Sequence, residues 1–99
     1  MTPKIAIPYD KIAEFCKKNH IKKLSLFGSV LRDDFTENSD VDVLVEFEAG
    51  KTPGFRFFVM DEELSEILGR KVDLNTEGFL SEYIVDKVKR EAITLYDRS

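Results

Sequence analysis

Alternation of apolar and polar residues predicts three β-strands. The clearest covers residues 41–47 (VDVLVEF), where valines and a phenylalanine occupy every second position. Residues 22–27 (KKLSLF) and 71–74 (KVDL) alternate over shorter lengths. Residues 93–96 are expected to form a short closing strand or a tail.

Apolar residues at helical spacing predict helices between these strands. Asn19 and Gly69 are natural stops for the first and the long second helix, and Ser81 is a candidate cap for the last. Ile84, Val85 and Val88 of the last helix should face the core, together with four residues of the second: Met60, Leu64, Ile67 and Leu68. The predicted helices cover residues from just after Asp10 to 19, about 29–34, about 57–68 and 81–90.

Helices and strands interleave along a chain of 99 residues, a length that suits one domain spanning residues 1–99. The sequence therefore predicts a small mixed sheet with helices packed on at least one face, an α/β or α+β layer. Periodicity does not determine the strand order. A content of 42% hydrophobic residues is sufficient for folding.

The charge balance narrows the classes of partner. A net charge of −4 argues against a sequence-independent grip on DNA or RNA, which needs clustered lysine and arginine, so we expect no direct nucleic-acid partner. No stretch approaches the roughly 20 apolar residues of a membrane span. The lone cysteine, Cys16, fits a reducing cytoplasm and is interpreted as a small core residue.

Two acidic residues mark the start of the clearest strand. Because strand side chains alternate between faces, Asp40 and Asp42 project to the same side, about 6–7 Å apart. Their repulsion is about 2–3 kcal/mol at an effective dielectric near 20. Mg²⁺, which prefers carboxylate and phosphate oxygens, would remove that conflict.

Gly28 and Ser29 follow the first predicted strand and suggest a phosphate site. Glycine permits a close backbone approach or a rare dihedral angle. A helix that opens at Ser29 would offer free N–H groups and a hydroxyl to an anion. Arg32, one turn further on, would either reach a phosphate or pair with Asp33 or Asp34.

Asp73 points away from its apolar neighbours in the third strand. If that strand lies beside the one carrying Asp40 and Asp42, three carboxylates converge near the phosphate site. Such a set is suited to nucleotidyl transfer with two metal ions. Asp73 would then act as general base or orient the attacking hydroxyl.

This order of motifs resembles the DNA polymerase β-like nucleotidyltransferase superfamily. Gly28-Ser29 followed after ten residues by Asp40-Val41-Asp42 is similar to its first signature. Residues 68–74 (LGRKVDL) are similar to the second, and residues 81–96 resemble the C-terminal segment of the minimal nucleotidyltransferases, which include the MntA-type antitoxins. The resemblance covers most of residues 24–96 and implies a polymerase β palm-like fold.

The resemblance also implies roles by position. Asp40, Asp42 and Asp73 would be the catalytic carboxylates and the ligands of two Mg²⁺ ions. Gly28, Ser29 and Arg32 would bind the phosphates of ATP. The chain departs from the family at two positions: Val30 stands where a basic residue is frequent, and Asp33 where glycine is common. Since both departures reduce positive charge, we expect a lower affinity for ATP.

Relatives of this kind are usually antitoxins paired with a HEPN-domain toxin. The resemblance thus implies transfer of AMP from ATP to a tyrosine of that toxin. A chain of 99 residues has little room to hold an acceptor itself, which agrees with a partner protein that presents one. Two alternatives stay open: a non-catalytic antitoxin that neutralises its partner by binding, and a nucleotidyltransferase for small molecules such as antibiotics.

Overall fold

The computed structural model describes residues 4–98 and contains all three predicted strands. Residues 93–97 form a fourth strand rather than a tail. In chain order the elements are α1 (Tyr9–Lys18), β1 (Ile21–Phe27), a 3₁₀ turn (Gly28–Leu31), β2 (Val41–Phe47), α2 (Arg56–Leu68), β3 (Val72–Asn75), a second 3₁₀ turn (Glu77–Phe79), α3 (Glu82–Glu91) and β4 (Ile93–Asp97).

The four strands form one mixed sheet in the order β3-β2-β1-β4. β1 pairs antiparallel with both β2 and β4, whereas β2 and β3 are parallel. Parallel neighbours need a crossover connection, and α2 supplies it. The predicted small mixed sheet with packed helices is confirmed, and the fold is α+β.

Helices α1 and α2 pack on one face of the sheet, which we call the covered face. Val41, Val43 and Val45 of β2 point into it and are at most 1% exposed. As predicted, Asn19 ends α1 and Gly69, with φ of 69°, ends α2. The core of this face also contains Ile12, Phe15, Cys16, Leu24, Leu26, Met60, Leu64, Val72 and Leu74.

The outer edge of β3 is held by side chains of α2. The backbone N–H of Val72 donates to Ser65 Oγ at 3.1 Å, and the N–H of Leu74 donates to Asp61 Oδ2 at 3.3 Å. These bonds satisfy donors that an edge strand leaves unpaired. They also tie the backbone of β3 to α2.

The opposite face carries Asp73, Asp42, Leu44 and Ser25 and is called the carboxylate face. Leu44 and Ser25 are nevertheless buried. A narrow groove lined by both of them and by Lys89 shows that the C-terminal half of α3 lies over this part of the face.

Helix α3 is attached less closely than the sequence predicts. Val88 is buried and Val85 partly so, but Ile84 is 44% exposed, so the prediction that all three face the core is wrong for Ile84. Ser81 occupies the N-cap position, yet its side chain makes no capping hydrogen bond. Over residues 4–98, no helix has the length and apolar character needed to cross a membrane.

Candidate active site

The parallel pairing of β2 with β3 brings two of the predicted carboxylates together. Asp42 and Asp73 are direct partners in the register of the two strands, so their side chains share the carboxylate face. Asp40 lies just before β2 and is exposed. The condition set by the sequence, that the third strand should lie beside the second, is met.

Burial and charge together raise the pKa of Asp42 above its ordinary value. Partial burial contributes most, followed by the negative charges of Asp73 and then Asp40. Arg32 opposes them and lowers the pKa, while a hydrogen bond with Asp73 raises it further. Asp42 is therefore a carboxylate held in surplus negative charge, a condition that a bound cation would relieve.

Gly28 has both features that favour glycine at this position, a rare dihedral angle and a close approach to a neighbouring group. Its φ is 78°, in the left-handed region where other residues are strained. A Cβ at this position would also overlap the Asp42 carboxylate. Asp42 lies opposite Phe27 in the β1–β2 register, which places the Gly28 backbone against the acidic pair.

The segment after Gly28 is shorter than predicted. A four-residue 3₁₀ turn, Gly28–Leu31, replaces the helix expected over residues 29–34. Arg32 follows this turn in an extended conformation, so it does not stack above Ser29 on a helix face. A single 3₁₀ turn lacks the aligned peptides of an α-helix, and any grip on phosphate here relies on individual N–H groups, the Ser29 hydroxyl and cationic side chains.

Of the two alternatives considered for Arg32, the structure shows the pairing with an acid, and phosphate binding stays a prediction. Its Nε lies 3.5 Å from Asp34 Oδ1 in an exposed ion pair. It is also close enough to Asp42 to lower the pKa of that carboxyl. Exposed pairs contribute little free energy, so Arg32 is easily redirected toward a more highly charged ligand.

The two departures from the family motif have different consequences. Val30 is fully buried and belongs to the core cluster, so it contributes packing there rather than an exposed charge. Asp33 is exposed, and its carboxylate accepts a hydrogen bond from Lys4 Nζ at 3.0 Å. This pairing offsets part of the negative charge that Asp33 adds.

A cavity of about 780 Å³ opens beside Gly28, between the 3₁₀ turn and α3. Two cationic residues of α3, Lys87 and Arg90, line it together with Arg32. Sequence reasoning did not single out these lysine and arginine residues, because a helix pattern does not reveal which loop its polar face will meet. The full lining is Gly28, Leu31, Arg32, Lys87, Arg90, Glu91 and Ile93.

The donor chemistry at the acidic site suits a hard divalent cation. Asp40, Asp42 and Asp73 offer only carboxylate oxygens, the ligands that Mg²⁺ prefers. Among residues 4–98, no three Asp, Glu, His or Cys side chains are arranged so that they alone could hold a metal ion. Mg²⁺ in such sites commonly takes one or two carboxylates and completes its shell with substrate phosphates and water.

The model of the nucleotidyltransferase domain family matches residues 9–95. This chain belongs to that family. The predicted resemblance to minimal nucleotidyltransferases is confirmed, since a solved structure provisionally identified as one superimposes with a TM-score of 0.71 at 33% identity. The match covers 86% of each chain.

Two relatives of this nucleotidyltransferase carry names that specify the transfer. A provisionally named protein adenylyltransferase of Methanocaldococcus jannaschii is 39% identical over 79 residues, which are 78% of this chain and 79% of the relative. The protein adenylyltransferase MntA of Thermococcus cleftensis is 36% identical over 74 residues, 74% of this chain and 73% of the relative.

More distant structures share the fold of this nucleotidyltransferase. A toxin–antitoxin crystal structure with AMP-PNP superimposes with a TM-score of 0.73 at 22% identity, over 92% of this chain and 74% of the other. A complex of a tri-AMPylated Shewanella oneidensis HEPN toxin with its MNT antitoxin gives 0.65 at 21% identity, over 90% and 69%. Identities this low establish the fold alone.

Proposed function

We propose that this chain is a single-domain protein adenylyltransferase that transfers AMP from ATP to a tyrosine hydroxyl of a partner HEPN-domain toxin, acting as its antitoxin in the cytoplasm. The observation that carries the proposal is the pairing of Asp42 with Asp73 directly beside the Gly28 backbone. Membership in the nucleotidyltransferase domain family supports the reaction type, and the named relatives support the acceptor class.

Each site residue has a role in this proposal. Gly28, Ser29 and Arg32 bind the phosphates and hold the α-phosphorus beside the acids. Asp73 orients the tyrosine hydroxyl and accepts its proton. The tyrosine oxygen then bonds to the α-phosphorus, the bond from that phosphorus to the β-phosphate bridging oxygen breaks, and pyrophosphate leaves.

Asp40, Asp42 and Asp73 would hold Mg²⁺, which when bound neutralises phosphate charge and supports in-line displacement. The residues themselves explain why a cation belongs there. The raised pKa of Asp42 reflects two neighbouring negative charges and partial burial, so the site is electrostatically incomplete without a positive partner.

In the proposed reaction the partner protein supplies the acceptor tyrosine. In one distant complex that shares this fold, an MNT antitoxin is bound to a tri-AMPylated HEPN toxin. An acceptor tyrosine presented by a partner would enter from the solvent side of the carboxylate face. Asp40 and Asp73 are exposed there.

The direct test is transfer of labelled AMP. The full chain is incubated with ATP labelled at the α-phosphate, Mg²⁺ and the HEPN-domain protein encoded beside its gene, and label on the partner is measured. Label should appear on tyrosine with wild type and be lost with Asp40→Ala/Asp42→Ala. A matched double variant, Asp10→Ala/Glu62→Ala, removes two exposed acids from α1 and α2 and should label normally.

Three outcomes would contradict the proposal. Equal labelling by the Asp40→Ala/Asp42→Ala variant would show that these two carboxylates are not needed for AMP transfer. Absence of label, combined with neutralisation of the toxin by that same variant, would instead identify a non-catalytic binding module. Label on a small alcohol but never on protein would favour the small-molecule alternative.

A further inference from the structure

The cavity beside Gly28 has a concentration of positive charge that the acidic site does not explain. Arg32, Lys87 and Arg90 line it against a single acid, Glu91. This balance is notable in a chain whose net charge is −4. Leu31 and Ile93 supply the apolar part of the lining.

Lys87 and Arg90 are three residues apart on α3, so they lie on one side of the helix. Within residues 4–98 neither takes part in an ion pair. Lys89, which lies between them in sequence, points elsewhere and pairs with Glu77 Oε1 at 2.7 Å. The two cations of α3 that line the cavity are thus available for a ligand.

We propose that Lys87 and Arg90 bind the β- and γ-phosphates of the nucleotide, so that α3 forms one side of a polyphosphate clamp whose other side is Gly28, Ser29 and Arg32. The inference rests on the proposed function, because it assumes that ATP binds at this site. Adjacent phosphates carry several negative charges within a few ångströms, and charge-assisted hydrogen bonds from lysine and arginine are the usual way to hold them.

The clamp also accounts for the departures from the family motif. Val30 is buried and Asp33 adds a negative charge, so Arg32 is the only cationic residue in the segment 29–34. Positive charge from α3 replaces what that segment lacks. The expectation of weaker ATP binding, drawn from Val30 and Asp33, stays a prediction, and the clamp adds that the affinity depends on α3.

The test is calorimetric binding of the full chain to ATP with Mg²⁺, to AMP and to inorganic tripolyphosphate. Lys87→Ala and Arg90→Ala should each weaken binding of ATP and of tripolyphosphate about tenfold, and the double variant more, since each removes a charge-assisted contact. AMP lacks the β- and γ-phosphates, so the variants should bind AMP with an affinity within about twofold of the wild-type affinity.

Three matched variants sharpen the result. Lys89→Ala removes a charge of the same kind from the same helix but away from the cavity, and should leave ATP affinity unchanged. Arg90→Lys keeps the charge and should retain most of it. Glu91→Gln removes the acid from the cavity lining and should strengthen ATP binding about two- to threefold, the opposite direction.

The outcomes separate this inference from the proposed function. If wild type binds ATP and the variants lose affinity but no AMP reaches a protein, the clamp stands and the proposed function fails. If AMP transfer occurs and the folded double variant binds ATP like wild type, the clamp is wrong. An equal loss of AMP and ATP binding would place the nucleoside in the cavity and also overturn it, as would a wild-type chain that binds neither ATP nor tripolyphosphate.

Discussion

The two faces of the sheet differ in what a single strand contributes to each. On the covered face, Val41, Val43 and Val45 are almost fully buried among the helices α1 and α2. On the carboxylate face, between those valines along the same strand, Asp42 is partly exposed and surrounded by like charge. The covered face stabilises the fold, whereas the carboxylate face retains an electrostatic repulsion that a bound cation would relieve. Substitutions on the two faces should therefore affect different properties.

The largest expected effect is on catalysis, from Asp42→Asn. Transfer should fall by at least about 10²-fold, because the amide neither carries charge nor serves well as a Mg²⁺ ligand. Stability should change the other way. The raised pKa means that the ionised carboxylate destabilises the folded state at pH 7, so the variant should unfold at a higher temperature than wild type in metal-free buffer.

This stability difference has a defined pH dependence. Folded Asp42 takes up its proton at a higher pH than the unfolded chain does, so wild type regains stability as the pH falls toward the ordinary aspartate value of 3.8. The advantage of Asp42→Asn should shrink over the same range in thermal melts. A variant less stable than wild type at pH 7 would show that Asp42 supports the fold.

The next prediction concerns stability alone and compares the loss caused by truncating a leucine on each face. Leu26 lies on the covered face and is fully buried, so Leu26→Ala should lower the free energy of unfolding by about 2–5 kcal/mol. Leu44, on the carboxylate face, borders a groove also lined by Lys23 and Lys89, so Leu44→Ala should cost less. Urea titrations of both variants measure the difference. Equal losses would mean that the carboxylate face is packed as tightly as the covered one.

A smaller effect separates backbone strain from site geometry. Gly28→Ala should cost about 1 kcal/mol through its positive φ and also reduce transfer, because the new methyl group displaces Asp42. Gly50 has a similar φ of 76°, but a methyl group added there would meet nothing within 4 Å, so Gly50→Ala should share the stability loss and keep full activity. Loss of transfer in both variants would trace the activity loss to backbone strain.

The last prediction is that Cys16, buried on the covered face, does not react with an alkylating reagent in the folded chain. Burial raises the pKa of Cys16 to about 12, so the thiolate is scarce at pH 8. Iodoacetamide should leave the folded chain unmodified and alkylate it in urea, as followed by mass spectrometry. Rapid alkylation without denaturant would mean that α1 opens readily from the sheet.

Much of the fold follows from local pattern. The valines of β2, the stop at Gly69 and the apolar positions of α1 each specify their element without distant information. Strand order does not follow, since it depends on which edges pair. The helix expected after Ser29 failed for a similar reason: Val30 and Leu31 are drawn into the core, which ends the turn after four residues.

The candidate site also contains residues that the sequence pattern indicates and residues that it does not. The three aspartates and Gly28-Ser29 are recognisable from spacing, because alternation along a strand determines which face an acid occupies. Lys87 and Arg90 are not, because their position beside Gly28 results from how α3 crosses the sheet on its way to β4. The placement of side chains on strands was predictable here, whereas the placement of side chains on a loosely packed helix follows only from the three-dimensional structure.

The parallel register of β2 and β3 limits which changes in chain length evolution can accept. The segment 49–54, between β2 and α2, is polar and mostly exposed, so insertions there leave the strand pairing intact. Loss of one residue between α2 and Asp73 would turn that carboxylate toward the covered face, because each step along a strand reverses the side chain. Lineages of this chain should therefore vary in length ahead of the crossover helix and stay invariant in length behind it.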